Sequence, residues 1–129
     1  MKTTELRLGN FIQDQFDDII TVDGLDDVDV YSSDCGDIPV HAVQPIPLTE
    51  QWLLDFGFKK NEYGDMSLFK EFEYLVIMCV KEEFYPSYEQ PAEFAHESDR
   101  VVYFNHIKYV HQLQNLYFAL FQEELILKE

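Results

Sequence analysis

Four histidines, His41, His96, His106 and His111, are the side chains best suited to bind a transition metal or to transfer a proton near neutral pH. Two histidines on one helix face bind zinc when they are four residues apart and a further ligand is supplied. His106 and His111 are five residues apart, so their spacing argues against a shared ion. We expect these histidines to face solvent or to form hydrogen bonds, and we predict no metal ligands.

Carboxylates are clustered between Asp23 and Asp29, and clustered carboxylates on a turn suit Ca²⁺. An EF-hand loop needs acids or amides at its first, third and fifth positions, followed by glycine. If the loop began at Asp27, its fifth and sixth residues would be Tyr31 and Ser32. The EF-hand pattern therefore fails, and a solvated acidic turn is the expectation.

Nucleophilic catalysis has little support in the sequence. There is no GxSxG motif, no glycine-rich phosphate loop and no GxGxxG motif, and the five glycines are scattered singly. Cys35 and His41 are near each other in sequence, but a Cys/His site depends on spatial geometry that proximity does not supply. We predict that the protein is not an enzyme and that it has no cofactor.

The distribution of charge is the most informative compositional feature. The formal net charge is −16, and residues 8–58 contain eleven acidic residues and no Lys or Arg. Such a surface repels nucleic acid, whose binding depends on cationic contacts to phosphate, so a basic protein surface is the expected partner. The predicted partner-binding residues are Asp14, Asp17, Asp18, Asp23, Asp26, Asp27, Asp29, Asp34 and Asp37.

Length and composition predict one folded domain over residues 1–129. Apolar residues make up 47% and aromatic residues 16% of the chain, far more than an acidic disordered chain would carry. No apolar run has the length of a secretory signal or a membrane span, and two cysteines do not suggest a disulfide scaffold. We therefore expect a cytoplasmic protein with no membrane contact.

Local signals predict the N-terminal half of the fold. Short β-prone runs separated by turn residues predict three antiparallel strands in an acidic, β-rich part over residues 1–44, with the aspartates facing outward. A short helix is expected over residues 50–56, because Thr49 is a good N-cap and Gly57 suits the left-handed residue that ends a helix.

The remainder is predicted as a β meander over residues 58–104 and a helix over about 108–121, where apolar residues recur every three or four positions. Within the meander, Pro86 and Pro91 predict a long loop from Lys81 to Asp99, apart from a strand around Phe84. Residues 125–127 could form a final strand. The fold class is therefore α+β, an antiparallel sheet of about five to seven strands with one short and one long helix.

The last predicted helix carries an uncharged polar face, formed by His111, Gln112, Gln114 and Asn115. Neutral amides are less costly to desolvate than charged side chains. This face is interpreted as structural, buttressing the helix that contains Trp52 from within, with a contact surface as the alternative.

Three sequence blocks, Leu6–Asn10, Pro45–Phe58 and Tyr109–Leu120, resemble a family of small proteins found in gut Bacteroidetes-type bacteria, their prophages and their phages. The resemblance spans nearly the whole chain and implies no particular activity. The chain departs from the family after the last helix, where relatives have Thr-Gly-Glu-Glu-Leu and this chain has Gln122 in place of the glycine. A left-handed Gln122 would carry a modest steric cost.

Together these observations predict a non-enzymatic accessory protein of a phage or mobile element that engages a basic host or phage protein. A narrower form is nucleic-acid mimicry, in which carboxylates replace phosphates and inhibit a host defence protein. The alternatives are a small enzyme or ligand-binding domain, with an aromatic-lined pocket near Tyr103, Tyr109 and Tyr117, and a structural or assembly component.

Overall fold

The structure is a computed structural model that describes residues 1–70, 72–92 and 100–128. The chain forms two compact units. The first unit comprises Met1–Leu48 and Tyr109–Leu125, and the second comprises Thr49–Lys108 and Ile126–Glu129. His96 lies outside the described residues, so its predicted exposure or hydrogen bonding stays a prediction.

The described residues form two α-helices and ten strands, and every strand pairing is antiparallel. The helices are α1 (Glu50–Asp55) and α2 (Val110–Phe121). The strands are β1 (Phe11–Gln13), β2 (Ile19–Thr21), β3 (Gly24–Leu25), β4 (Asp29–Ser32), β5 (Gly36–Pro39), β6 (Lys59–Lys60), β7 (Met66–Lys70), β8 (Glu73–Val80), β9 (Glu83–Gln90) and β10 (Arg100–Tyr103). The α+β class is confirmed, and the strand count exceeds the predicted five to seven.

The first unit contains two small sheets and α2. Strands β1 and β2 form one hairpin, and β3, β4 and β5 form a three-stranded meander. Alternation turns Ile12, Ile20 and Val30 inward, where they pack in one apolar cluster with Leu6 and Val43. The prediction of three strands in this region was too low, because β3 and β5 are short and rich in turn-forming residues.

The second unit is built on a five-stranded sheet with the order β10-β9-β8-β7-β6, together with α1. Leu75 and Ile77 of β8 are fully buried, as is Leu53 of α1. The predicted meander is confirmed, since each strand pairs with the next along the chain.

Helix α1 begins and ends as its sequence predicts. The Thr49 hydroxyl accepts a hydrogen bond from the Trp52 N–H at 3.3 Å, and Gly57 has a left-handed backbone with φ of 97°. A Cβ at position 57 would lie 2.7 Å from the end of the flexible Lys128 side chain, which can move aside, so glycine is favoured there mainly by its left-handed conformation.

The strand predicted around Phe84 and Tyr85 is confirmed as part of β9 (Glu83–Gln90), and the long loop predicted from Lys81 to Asp99 is wrong over the rest of that strand. Pro86 lies inside this internal strand and faces Ile77 of β8. The Pro86 carbonyl accepts a hydrogen bond from the Phe104 N–H at 3.0 Å, on the β10 side. Because the N and O of one strand residue point the same way, the N–H that proline lacks would also face this side, just beyond the end of β10.

Two further expectations concern the end of the chain. The strand predicted at residues 125–127 is wrong, since this segment is irregular. Helix α2 ends at Gln122, which adopts the left-handed conformation with φ of 57° although it is not glycine. Its side-chain amide donates to the carbonyls of Phe118 and Ala119, which offsets part of the conformational cost.

Candidate functional site

The exposed side of the β3–β4–β5 sheet carries carboxylates around an aromatic ring. Tyr31 of β4 lies between Gly24 of β3 and Asp37 of β5, and cross-strand neighbours project to the same side. Asp29 is two residues before Tyr31 and so shares this side. Tyr31 is 46% exposed. We call these residues, with Asp23, Asp26, Asp27 and Asp34 in the flanking turns, the acidic face.

Most of the predicted partner-binding residues are accessible. Asp17, Asp18, Asp23, Asp26, Asp27, Asp34 and Asp37 are exposed, and Asp29 is half-buried. Among the residues that the structure describes, none of the nine aspartates forms an ion pair. The first unit contains two cationic residues, Lys2 and Arg7, against twelve acidic ones, and Arg7 pairs with Glu124. The negative charge of this unit is therefore largely uncompensated.

Asp14 contradicts the expectation that these carboxylates face outward, since it is only 8% exposed. Its Oδ1 accepts hydrogen bonds from the backbone N–H groups of Phe16, at 2.8 Å, and Asp18, at 3.0 Å. These bonds hold the β1–β2 turn, because buried donors need a partner. Asp14 is thus a turn-forming residue.

Asp23 and Asp26 combine exposure with a local structural contact. Asp26 accepts from the N–H groups of Val28, at 2.9 Å, and Asp29, at 2.7 Å. These bonds, with that from Val28 the larger influence, hold the pKa of Asp26 below its ordinary value. Asp23 accepts from the Ser33 N–H at 2.7 Å, which likewise lowers the pKa of Asp23. Both carboxylates therefore remain charged while they shape the acidic face.

The polar side of α2 is mostly buried against the N-terminal segment of the same unit. Gln114 accepts from the Phe11 N–H at 2.8 Å and donates to the Gly9 carbonyl at 3.1 Å. Asn115 accepts from the Asn10 side chain at 2.8 Å and donates to the Glu5 carbonyl at 3.2 Å. We call the contacts of Gln114 and Asn115 with residues 5–11 the polar seam.

A salt bridge flanks the polar seam. Arg7 binds the Glu124 carboxylate through two nitrogens, and its guanidinium lies 4.2 Å from the ring centre of Phe118. Hydrogen bonding to Arg7 lowers the pKa of Glu124. Two of the sequence blocks, Leu6–Asn10 and Tyr109–Leu120, thus meet at the polar seam. Gln114 and Asn115 have the structural role that was predicted, but their partners are residues 5–11, where the Trp52 helix was expected.

A cavity of about 540 Å³ lies in the first unit beside the start of α2. Its walls include Glu5, Pro45, Tyr109, His111, Gln112 and Asn115. Of the three tyrosines predicted to line a pocket, Tyr109 does so. Tyr103 lies on β10 of the second unit and is 75% exposed, while Tyr117 is buried against Phe121. The predicted set of aromatic residues is therefore wrong, because the three belong to different surroundings.

His111 is the unusual residue of this cavity, being only 3% exposed. Within the part of the chain that the structure describes, its Nδ1 has no hydrogen-bond partner. Burial lowers the pKa of His111, and the nearby Glu5 carboxylate opposes that effect without reversing it. The imidazole is thus neutral at pH 7. The sequence flagged His111 as a polar helix residue but contained no signal that it would line a cavity.

The other candidate groups are not assembled into a site. His106 belongs to the second unit, where it contacts the Tyr85 ring, and His111 belongs to the first. Cys35 and Cys79 are free and exposed. Partial desolvation, and then the charge of Asp14, raise the pKa of the Cys35 thiol, the opposite of what a thiolate nucleophile needs. Among the described residues, no group of three His, Cys, Asp or Glu side chains is arranged to hold a metal ion.

The five-stranded sheet of the second unit has an uncovered apolar side. The register places Met78 opposite Tyr85, and Phe69 opposite Tyr74, with their side chains on one side of the sheet. We call its exposed members the apolar face: Phe69, Met78, Val80, Tyr85, Val101 and Tyr103. Exposed apolar residues grouped on one side of a sheet are typical of an interaction surface.

No helix in the described part of the chain is both long enough and apolar enough to cross a membrane. Comparison of the chain with protein-family models, with curated proteins and with solved structures finds no match.

Proposed function

We propose that the protein is a non-enzymatic binding module whose acidic face engages a basic protein surface. The observation that supports this most directly is that exposed Asp27 and Asp37 and half-buried Asp29 lie around Tyr31 without a neutralising cation among the described residues. In a single-sign field of this kind, electrostatic attraction speeds association with a positively charged partner and selects against acidic ones.

The chemistry of the acidic face suits arginine in particular. A guanidinium can stack on the exposed Tyr31 ring while it donates hydrogen bonds to a neighbouring carboxylate such as that of Asp37. Lysine can make the ring contact but lacks the planar fork of donors. The preferred partner is therefore an arginine-bearing surface.

The biological setting rests on the sequence resemblance. It suggests an accessory protein of a phage or mobile element that acts in the cytoplasm. Cys35 and Cys79 are free thiols, which is the usual state of cysteines in that compartment. In the narrower form of the proposal the partner is a nucleic-acid-binding groove of a defence protein, and the carboxylates replace phosphates. Competition by duplex DNA for the same captured partner would distinguish this form.

The test is an NMR titration with an oligo-arginine peptide at low salt and at about 0.15 M salt. We expect the largest shift changes at Tyr31 and at its neighbours on β3 and β5, with weaker binding at the higher salt. The double variant Asp27→Lys with Asp37→Lys should lose most of this binding and keep its thermal stability. Neither side chain forms a hydrogen bond in the described structure, which makes them better choices than Asp26.

The matched control is Glu62→Lys with Glu82→Lys, which changes the net charge equally but on exposed residues of the second unit. The control should bind the peptide nearly as well as the wild type does. Equal weakening by the two double variants, or shifts spread evenly over all acidic residues, would show that only net charge matters and would refute a specific face.

A second candidate function, a structural or assembly component, is favoured by the apolar face of the second unit. Few charges lie on this side of the sheet, where Lys59, Glu83 and Glu89 are the charged strand residues among those described. Two chains of net charge −16 repel each other, and this repulsion is weakest between surfaces that carry few charges. A second copy of the chain is therefore the occupant that this face fits best.

Two substitutions on β10 test self-association. Val101→Glu places a charge on the apolar face, whereas Val102→Glu places it on the other side of the same exposed strand. If copies pair through this face, light scattering should show a dimer for the wild type and for Val102→Glu, and a monomer for Val101→Glu. A wild type that stays monomeric at about 0.1 mM, a concentration that detects weak pairing, would exclude this candidate.

A further inference from the structure

The side chain of His111 is enclosed at the start of α2, in the first unit. It is only 3% exposed, and its Nδ1 is buried without a hydrogen-bond partner among the described residues. A protonated imidazole carries an N–H on both ring nitrogens, so protonation would leave a buried, charged donor without an acceptor. Burial of such a group is costly, and the enclosed ring therefore favours the neutral form.

The groups around this ring do not compensate for its burial. The ring of Tyr109 lies parallel to it within 8°, with centres 5.8 Å apart. Burial lowers the pKa of His111, and the carboxylate of Glu5, in the N-terminal turn, opposes that effect without reversing it. Met1 lines the same cavity and brings an amino group, whose positive charge disfavours an imidazolium. Residues 45–47, which pair with the start of α2, contain no titratable side chain.

His111 lies next to the polar seam along the helix. Gln114 and Asn115 are three and four residues further on, so they share one side of α2 with His111. Gln114 accepts from the Phe11 N–H, and Asn115 donates to the Glu5 carbonyl. A movement of the His111 side chain toward water would therefore displace the start of α2 and, with it, the contacts of the polar seam.

Opening of the polar seam would reach the core of the first unit. Leu6 belongs to the segment that the polar seam holds, and it packs in the same apolar cluster as Val30 of β4. Tyr31, the next residue, projects to the opposite side of β4, where the acidic face lies. Loss of Leu6 from the cluster would therefore loosen the strand that carries the acidic face.

We propose that His111 is an acid-sensitive switch: at mildly acidic pH its ring takes up a proton, the polar seam opens, and residues 5–11 separate from α2. The open state binds the proton that the closed state resists. The closed state is therefore most stable above a pH of about 6.5, the ordinary value for histidine, and loses stability as the pH falls below it. The switch does not require that the acidic face binds a partner.

The test uses the full chain, labelled with ¹⁵N, between about pH 7.5 and about pH 5.5, the window in which histidine side chains titrate. Hydrogen exchange of the Phe11 amide, corrected for the intrinsic pH dependence of exchange, reports the opening of the polar seam. We expect its opening constant to rise about tenfold over this window, the rise expected for uptake of one proton by the open state. The Leu75 amide, in the five-stranded sheet of the second unit, should show no such rise.

Two variants assign the response to one histidine. His111→Phe keeps a flat ring that cannot be protonated, so its opening constant should change by less than about twofold over the same window. His41→Gln alters an exposed histidine of the same unit and should respond as the wild type does. An unchanged opening constant at Phe11 of the wild type, or an equal rise in His111→Phe, would overturn the proposal.

The wild type alone also decides the question if His111→Phe fails to fold. The ¹⁵N shifts of the His111 ring should show a neutral imidazole in the closed state at a pH of about 6. A ring that is already protonated at about pH 6.5 while the polar seam is closed would refute the switch.

Discussion

The two units stabilise their folds by different means. The second unit rests on a regular ladder of backbone hydrogen bonds across five paired strands. The first unit has short strands and depends on side chains that bind backbone groups, as Gln114 does with Gly9 and Phe11 and as Asp14 does within its turn. In the first unit, the stability of the fold should therefore depend mainly on the identity of these polar side chains. In the second unit, the effect of a substitution on stability should depend mainly on the side of the sheet on which the residue lies.

The largest effect is expected from neighbouring residues of β8. Ile77→Ala should lower the free energy of unfolding by about 2–5 kcal/mol, because Ile77 is fully buried and leaves a cavity. Met78→Ala, one residue on, should cost less than about 1 kcal/mol, since Met78 lies on the apolar face. Urea denaturation of both variants checks this. A loss of similar size for the two would indicate that the apolar face is covered in solution.

Next in size is the polar seam of the first unit. Gln114→Leu keeps the volume of the side chain but leaves the Phe11 N–H and the Gly9 carbonyl without their partner, so we expect a loss of about 2–4 kcal/mol. Gln15→Leu, at an exposed position, serves as the control and should change stability by less than about 0.5 kcal/mol. If the two variants melt alike, the polar seam does not stabilise the fold.

A smaller effect on stability is expected from the aspartates, which differ in role between the β1–β2 turn and the acidic face. Asp14→Ala removes an acceptor shared by two backbone N–H groups and should cost about 1–2 kcal/mol by thermal or chemical denaturation. Asp37→Ala should leave stability nearly unchanged, because its exposed carboxylate forms no hydrogen bond in the described structure. The reverse order of the two costs would contradict the assignment of Asp14 to folding and Asp37 to binding.

The smallest effect concerns the end of α2. Gln122→Gly relieves the left-handed strain at φ of 57° but loses two exposed side-chain hydrogen bonds, so a gain of less than about 1 kcal/mol is expected. Ala119→Gly, inside the same helix and exposed, should instead cost about 1 kcal/mol. Calorimetry can resolve these opposite signs, and destabilisation by both would mean that the side-chain bonds of Gln122 outweigh its strain.

Features encoded locally were predictable from the sequence. Thr49 and Gly57 define α1, and the periodic apolar residues define α2 to within about two residues, the usual uncertainty of helix ends. Strand β9 was predicted only around Phe84, because Pro86 and Pro91 indicated a loop, although a strand can contain a proline at the end of its pairing with a neighbour. The single-domain expectation stays a prediction.

The candidate sites were less predictable, because they depend on contacts distant in sequence. The exposure of most aspartates was predictable, because charged carboxylates favour contact with water. The burial of Asp14 was not, because it depends on a turn that composition does not specify. Asn10 and Asn115 meet across 105 positions of the chain, and the cavity around His111 forms only when those segments come together. A single sequence shows no signal for such a pairing.

Pro86 has a consequence for how the sheet of the second unit assembles. Pro86 accepts a hydrogen bond from the Phe104 N–H but has no N–H to donate in return, so the residue pair just past Tyr103 is joined by one hydrogen bond instead of two. The ladder between β9 and the outermost strand is therefore weaker at this end, where β10 contributes four exposed residues and little packing.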